Sequence, residues 1–191
     1  MRMHRTLAVL IVALAAAASS ARAQIRPSEM GSVSQTVDGT KMTVEYSRPQ
    51  ARGRSPLFGT RIVPWDESWT PGANWATTFD TSKDVKLNGV RVPKGTYSVW
   101  MTPKASGDWP MALDPRVRLF HTEHADSTSR QIRFPVRVTQ EPTMDVLTWW
   151  FPEVRPDGAL MVMQWGTYRA TVNVTVEASG LPVPRDRGLL R

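Results

Sequence analysis

The chain has 191 residues, no cysteine, 15 prolines and 8 tryptophans, and a formal net charge of +7. Its hydrophobic content of 41%, with 21% charged residues, is too apolar for a disordered chain and too polar for a membrane protein. The absence of cysteine excludes a disulfide framework, a thiolate zinc site, an iron–sulfur cluster and a cysteine nucleophile.

Residues 1–23 have the pattern of a secretory signal peptide. Two arginines precede the uncharged stretch TLAVLIVALAAAA, and Ala21-Arg22-Ala23 supplies a small-x-small cleavage site. The apolar stretch of about 13 residues is shorter than the roughly 20 that a transmembrane helix needs. We therefore expect a periplasmic or secreted protein, cleaved after Ala23 and without a membrane span in its mature form.

Removal of this peptide changes the charge balance. Residues 1–23 contain three arginines and no acid, so 21 basic and 17 acidic residues remain. Both signs are interspersed along the rest of the chain. Because nucleic-acid recognition needs a basic stripe, we expect no nucleic-acid partner.

The body of the chain predicts many short strands. Apolar and polar residues alternate over residues 41–47, 132–139 and 167–176, and Asn88-Gly89 between two apolar triplets is typical of a type I′ hairpin. About nine or ten short strands fit between residues 32 and 177. These patterns predict an all-β antiparallel sandwich or jelly-roll-like domain over residues 24–178, followed by a flexible tail at residues 179–191.

Three stretches, taken in order, resemble the bacterial family called domain of unknown function 2911 (DUF2911). They are VEYSRP at residues 44–49 with the following GR and FG, IVP to WTPGAN at residues 62–74 with ATTF, and the Asn88-Gly89 hairpin with VPKGTYS. The resemblance implies an exported all-β protein without an assigned activity. Many relatives have Arg after the tryptophan and Glu after Gly-Ala-Asn, where this chain has Thr70 and Trp75, so a polar site built on that pair would be altered here.

The segment from Arg48 to Phe79 is the predicted location of a specific role. It is a long stretch without clean alternation, and such loops are often functional. Arginine can hold a carboxylate or phosphate with two hydrogen bonds, and asparagine can orient a ligand. The alternative is structural, with arginines paired to acids and tryptophans closing the end of the sandwich. The candidate ligand-binding residues here are Arg48, Arg54, Trp65, Trp69, Asn74 and Trp75.

Trp100 is a further candidate because it shares a strand face with threonine and serine. Either a loop covers this indole, or it offers a stacking surface to a sugar ring or an apolar ligand.

The segment HTEHAD at residues 121–126 brings His121, Glu123, His124 and Asp126 together. Two histidines and a carboxylate can hold a divalent cation, but a solvated loop explains the same residues.

No nucleophile elbow, phosphate-binding loop or dinucleotide fingerprint is present in the sequence. We expect no metal and no organic cofactor.

These observations favour a non-catalytic binding module of the cell envelope. The ligand would be a small molecule, a glycan or an envelope protein. Two alternatives remain open: a hydrolase that acts on an envelope glycan or similar polar substrate, and a structural or assembly component. No catalytic residue is identified.

Overall fold

The computed structural model describes residues 28–123 and 130–180. This part of the chain contains nine strands and no helix, so the all-β prediction is confirmed. No helix that could cross a membrane occurs among these residues. The predicted signal peptide, its cleavage site and residues 181–191 of the predicted tail lie outside them. The strands are β1 (Met30–Val37), β2 (Thr40–Ser47), β3 (Thr78–Thr81), β4 (Val85–Leu87), β5 (Val90–Val92), β6 (Gly95–Met101), β7 (Trp109–Asp114), β8 (Ile132–Arg155) and β9 (Gly158–Val176).

The nine strands form one antiparallel sheet in the order β1-β2-β3-β6-β7-β8-β9-β4-β5. Hydrogen bonding is continuous from β1 to β5, so the predicted division into the two sheets of a sandwich is not confirmed. Residues from both ends of the sheet nevertheless belong to one core: Val44 in β2 and Val92 in β5 share the same cluster of buried side chains. The sheet therefore curves around one main hydrophobic core.

Two strands are much longer than the sequence pattern predicts. β8 has 24 residues and β9 has 19, whereas the alternation indicates short strands throughout. Their pairing shifts register between Gln140 and Met144, between Met144 and Thr148, and between Trp150 and Glu153. Such irregularities bend a strand and interrupt the alternation of apolar and polar residues. The sequence pattern therefore predicts several short strands where β8 and β9 are each continuous.

The predicted tight turn at Asn88-Gly89 is confirmed. The two residues have φ angles of 47° and 84°, and Leu87 pairs with Val90 across a two-residue loop. Positive φ at both central positions defines a type I′ turn, which asparagine and glycine tolerate best. The turn is also anchored to its neighbours, because the Asn88 side chain donates to the carbonyl of Pro135 over 2.7 Å.

A buried carboxylate joins the end of β7 to the start of β8. Asp114 is 1% exposed and accepts hydrogen bonds from Arg116 Nη2 at 2.8 Å and from Gln131 Nε2 at 2.6 Å. The Arg116 guanidinium, and to a lesser degree Gln131, hold the pKa of Asp114 well below its usual range, although burial opposes them. Asp114 therefore fixes both ends of the connection that includes Phe120 and His121.

Replacement of Asp114 by Asn should lower the free energy of unfolding at pH 7 by about 1.5–3 kcal/mol, since it removes the charge of the buried group that accepts hydrogen bonds from Arg116 and Gln131. The folded-state pKa of Asp114 is depressed, so its stabilisation is complete above the unfolded value of about 3.9 and declines as the pH falls below it. The difference between wild type and Asp114→Asn should consequently shrink between pH 7 and pH 3 in urea unfolding. Asp108→Asn is the matched control, because Asp108 is exposed. An equal loss at both pH values would contradict an ionic role for Asp114.

Candidate functional site

The segment between β2 and β3 is anchored to the sheet along its length. Isolated backbone bridges tie Gln50 to Val146, Trp69 to Met101 and Trp75 to Phe120. The backbone N–H of Trp69 donates to the carbonyl of Met101 at 2.8 Å, and the N–H of Met101 donates to the carbonyl of Trp69 at 2.7 Å. The loop predicted from residues 48 to 79 is therefore an ordered part of the fold, although it adds no strand of its own.

Aromatic packing holds this segment against β7 and β9. The ring of Phe58 lies 4.8 Å from that of Tyr168, 5.1 Å from Trp109 and 5.6 Å from Trp69, measured between centroids. Trp65 completes the cluster at 5.7 Å from Tyr168. Each close aromatic pair contributes roughly 0.5–1.5 kcal/mol beyond the area it buries. Trp65 therefore packs against the sheet, in line with the alternative that the tryptophans of this segment have a structural role.

A close backbone approach explains how Trp65 fits into this cluster. A Cβ atom placed on Gly59 would lie 2.1 Å from Trp65 Nε1. Gly59 also has a φ of 74°, a conformation that L side chains rarely adopt. Only glycine tolerates both the close contact and the positive φ. Glycine at position 59 therefore allows Trp65 to pack in this cluster.

An open cleft of about 570 Å³ lies beside the aromatic cluster. Its apolar wall includes Trp69 and Trp165, whose rings stack with centroids 6.2 Å apart and planes inclined by 13°. Trp69 is half-buried and Trp165 is buried. The cleft is lined by Ser28, Pro49, Gln50, Arg52, Arg54, Ile62, Trp69, Gly72, Ala73, His121 and Trp165.

Arg52 and Arg54 bring positive charge to the cleft. Arg54 donates from Nε to the carbonyl of Ala51 at 2.7 Å and from Nη2 to the carbonyl of Gln50 at 2.6 Å. Within residues 28–123 and 130–180, no carboxylate lies within ion-pair distance of Arg54. These backbone bonds orient the guanidinium and leave the N–H groups of Nη1 without a carboxylate to neutralise the charge.

Asn74 connects three parts of the chain near the cleft. Its Nδ2 donates to the carbonyl of Ser28 at 3.1 Å and to Ser47 Oγ at 3.3 Å. Its own carbonyl accepts the backbone N–H of His121 at 2.8 Å and lies 3.1 Å from His121 Nδ1. Nδ1 donates in that contact if it carries the imidazole proton, and Nε2 is then an acceptor. Asn74 thus positions His121 at the cleft and does not itself line it.

The predicted site residues are divided among several locations. Arg54 and Trp69 line the cleft, Trp65 packs in the aromatic cluster, and Asn74 acts through its neighbours. Arg48 lies elsewhere, with Nη2 donating to Thr148 Oγ1 at 3.3 Å. The remaining two candidates, Trp75 and Trp100, do not line the cleft.

Trp100 is 1% exposed and packs with Ala76 and Ala112. Its Nε1 donates to Ser98 Oγ at 2.9 Å. The Trp100 indole is therefore covered by other parts of the chain, which was one of the two alternatives, and it has no open face for a ligand.

Sequence reasoning did not select Gln50, Ile62 or Trp165 for the cleft. Trp165 lies about 90 positions after the segment, and only the folding of β9 brings it against Trp69. No group of three or more potential metal ligands occurs among residues 28–123 and 130–180. His124 and Asp126 of the HTEHAD segment lie outside the described residues.

Asn74 has a φ of 62°, so its substitutions separate backbone from side-chain effects. Asn74→Gly keeps this conformation accessible but removes the two side-chain bonds, and should lower the free energy of unfolding by about 1 kcal/mol. Asn74→Ala should cost about 1 kcal/mol more, because a left-handed conformation is unfavourable for alanine. Urea unfolding of the two variants and wild type measures both effects. Equal stability of all three proteins would show that Asn74 does not anchor the segment.

Comparison with family models gives one match, to the family described as a protein of unknown function (DUF2911), over residues 28–174. Comparisons with curated proteins and with solved structures gave no match. The matched range includes the cleft, the aromatic cluster and all but the last two residues of β9. The chain therefore belongs to the DUF2911 family.

Proposed function

We propose that this protein is an exported, non-catalytic binding module whose cleft takes a small ligand with both an anionic group and a flat or apolar part. The observation that carries the proposal is the position of Arg54 in a cleft walled by the stacked indoles of Trp69 and Trp165. The cleft thus offers a guanidinium group and an aromatic surface to the same ligand.

The anionic group is supported by the charges of the lining residues. No aspartate or glutamate is among the residues that line the cleft. Arg54 carries the argument, because the Asp145 carboxylate lies beside Arg52 and accepts its backbone N–H at 2.9 Å. Gln50 Oε1 lies 3.3 Å from Arg52 Nε, which helps to orient that second guanidinium. A carboxylate or phosphate would balance this charge through charge-assisted hydrogen bonds.

The flat or apolar part of the ligand is supported by the apolar residues of the same lining. Trp69, Trp165 and Ile62 provide apolar surface. Because the rings of Trp69 and Trp165 are already stacked on each other, they lose little conformational entropy when a ligand arrives. The volume of about 570 Å³ is within the usual range for small-molecule sites.

The same lining favours binding over hydrolysis. The residues that line the cleft include one histidine, His121, and no aspartate or glutamate. A glycoside hydrolase generally needs two carboxyl groups on opposite sides of the bond it breaks, and the lining residues include none. A structural or assembly role would explain the packing of Trp65, but it would not explain an arginine held in an open cleft without a carboxylate partner.

Replacement of Arg54 by Ala should weaken binding of an anionic ligand by at least tenfold, because a hydrogen bond to a charged group contributes about 1.5–3 kcal/mol. Suitable probes are glucose 6-phosphate, glucuronate and benzoate, with glucose as the uncharged reference, titrated calorimetrically into residues 24–191. Arg54→Lys keeps the charge but not the two-bond geometry and should lie between wild type and Arg54→Ala.

Arg61→Ala is the matched control, since Arg61 is an exposed arginine of the same segment that does not line the cleft. Melting temperatures of all variants establish that each is folded. Binding of glucose as tightly as of the anions, or equal affinity in wild type and Arg54→Ala, would contradict the proposal.

The export component rests on the pattern of residues 1–23. Expression of the full chain in a Gram-negative host should yield a periplasmic protein whose first residue is Gln24, free or cyclised, as measured by fractionation and intact mass. Ala23→Phe should block this cleavage, because the processing site requires small residues. Recovery of an uncleaved wild-type chain in the cytoplasm would contradict export.

A further inference from the structure

A second concave surface lies near the short bridge between Trp75 and Phe120, separate from the cleft. It has a volume of about 510 Å³ and includes Met30 and Trp75 among its lining residues. Trp75 is 51% exposed, whereas the other seven tryptophans are buried or half-buried. Met30 and Phe120 are also exposed, and a group of exposed apolar side chains marks a contact site more than a lone one does.

The exposed indole is held in a defined orientation. Its ring meets the ring of Phe120 edge to face, with centroids 5.6 Å apart and planes inclined by 87°. The backbone on either side is fixed, since Ala76 donates to the carbonyl of Leu119 at 2.8 Å and His121 donates to that of Asn74 at 2.8 Å. Trp75 is therefore preorganised, which reduces the entropy that a ligand must offset.

Polar side chains surround this indole on the adjoining sheet. Glu45 in β2 pairs in register with Thr78 in β3, and both line the concave surface together with Arg118. Among the described residues, none of these three side chains has a hydrogen-bond partner or ion pair. A carboxylate, a hydroxyl and a guanidinium are thus available as acceptors and donors next to an aromatic platform.

The charges of this surface differ from those of the cleft. Glu45 and Arg118 carry opposite charges, so the surface has no net preference for an anion. We propose that it binds a neutral pyranose residue of a glycan, whose C–H face stacks on Trp75 while its hydroxyl groups hydrogen-bond to Glu45, Thr78 and Arg118. A sugar ring presents one apolar face and a rim of hydroxyls, and this surface offers the matching pair of features.

The test uses neutral hexasaccharides of glucose and of N-acetylglucosamine as probes. Calorimetric titration into residues 24–191 should show binding of at least one of them. Trp75→Ala should reduce its affinity at least tenfold, while Trp75→Phe should retain part of it because a smaller aromatic face remains. The bound sugar should also protect tryptophan fluorescence from iodide quenching, since Trp75 is the exposed indole.

The cleft variant Arg54→Ala is the matched control, because Arg54 does not line this surface, and it should bind the hexasaccharides as wild type does. Failure of the anion-binding proposal would therefore leave this result unchanged, and the reverse also holds. The inference is overturned if no hexasaccharide binds at millimolar concentration or if Trp75→Ala binds as tightly as wild type. It is also overturned if sedimentation shows a dimer that Trp75→Ala abolishes, since a second copy of the chain would then cover the indole.

Discussion

The pairing of β8 with β9 is the constraint on which the rest of the structure depends. This ribbon joins β7 on one side to β4 on the other, and its register shifts bend it around the core. It also supports the irregular segment, because Ala51 N–H donates to the carbonyl of Asp145 at 2.7 Å and Trp165 supplies the ring that stacks on Trp69. Gly166, with a φ of 56°, follows Trp165 directly and lies where the pairing shifts register.

The segment between β2 and β3 packs against the sheet and also lines the cleft. Ordering a stretch of this length costs roughly 1–2 kcal/mol of backbone entropy per residue. Phe58, Trp65 and Trp69 offset part of that cost through aromatic packing on Trp109, Trp165 and Tyr168. Trp69 takes part in both roles, since one part of it packs on Phe58 and it also lines the cleft. The segment therefore combines packing against the sheet with lining of the cleft, and Trp69 contributes to both.

The two concave surfaces differ in charge although they lie close together along the chain. Asn74 and Trp75 are neighbours in sequence, and so are Phe120 and His121; of these four, His121 lines the cleft and Trp75 lines the second surface. Arg52 and Arg54 line the cleft, and no aspartate or glutamate is among its lining residues, whereas Glu45 and Arg118 carry opposite charges beside Trp75. Asp114 lies at the start of the connection that includes Phe120 and His121. One buried carboxylate thus helps to place both surfaces.

The amino-acid sequence by itself determined the strand content, the Asn88-Gly89 turn and the family, because alternation and turn residues are local signals. It also singled out the segment from Arg48 to Phe79, in which Arg54 and Trp69 line the cleft. Only the tertiary structure decided that Trp100 is buried, that Trp65 is half-buried in the aromatic cluster, that Trp75 is exposed, and that Trp165 faces Trp69. Local patterns specify which way a side chain points from its own strand, but what covers it comes from distant parts of the chain. The bends of β8 and β9 arise from irregular pairing between strands, and no single strand records that pairing in its own sequence.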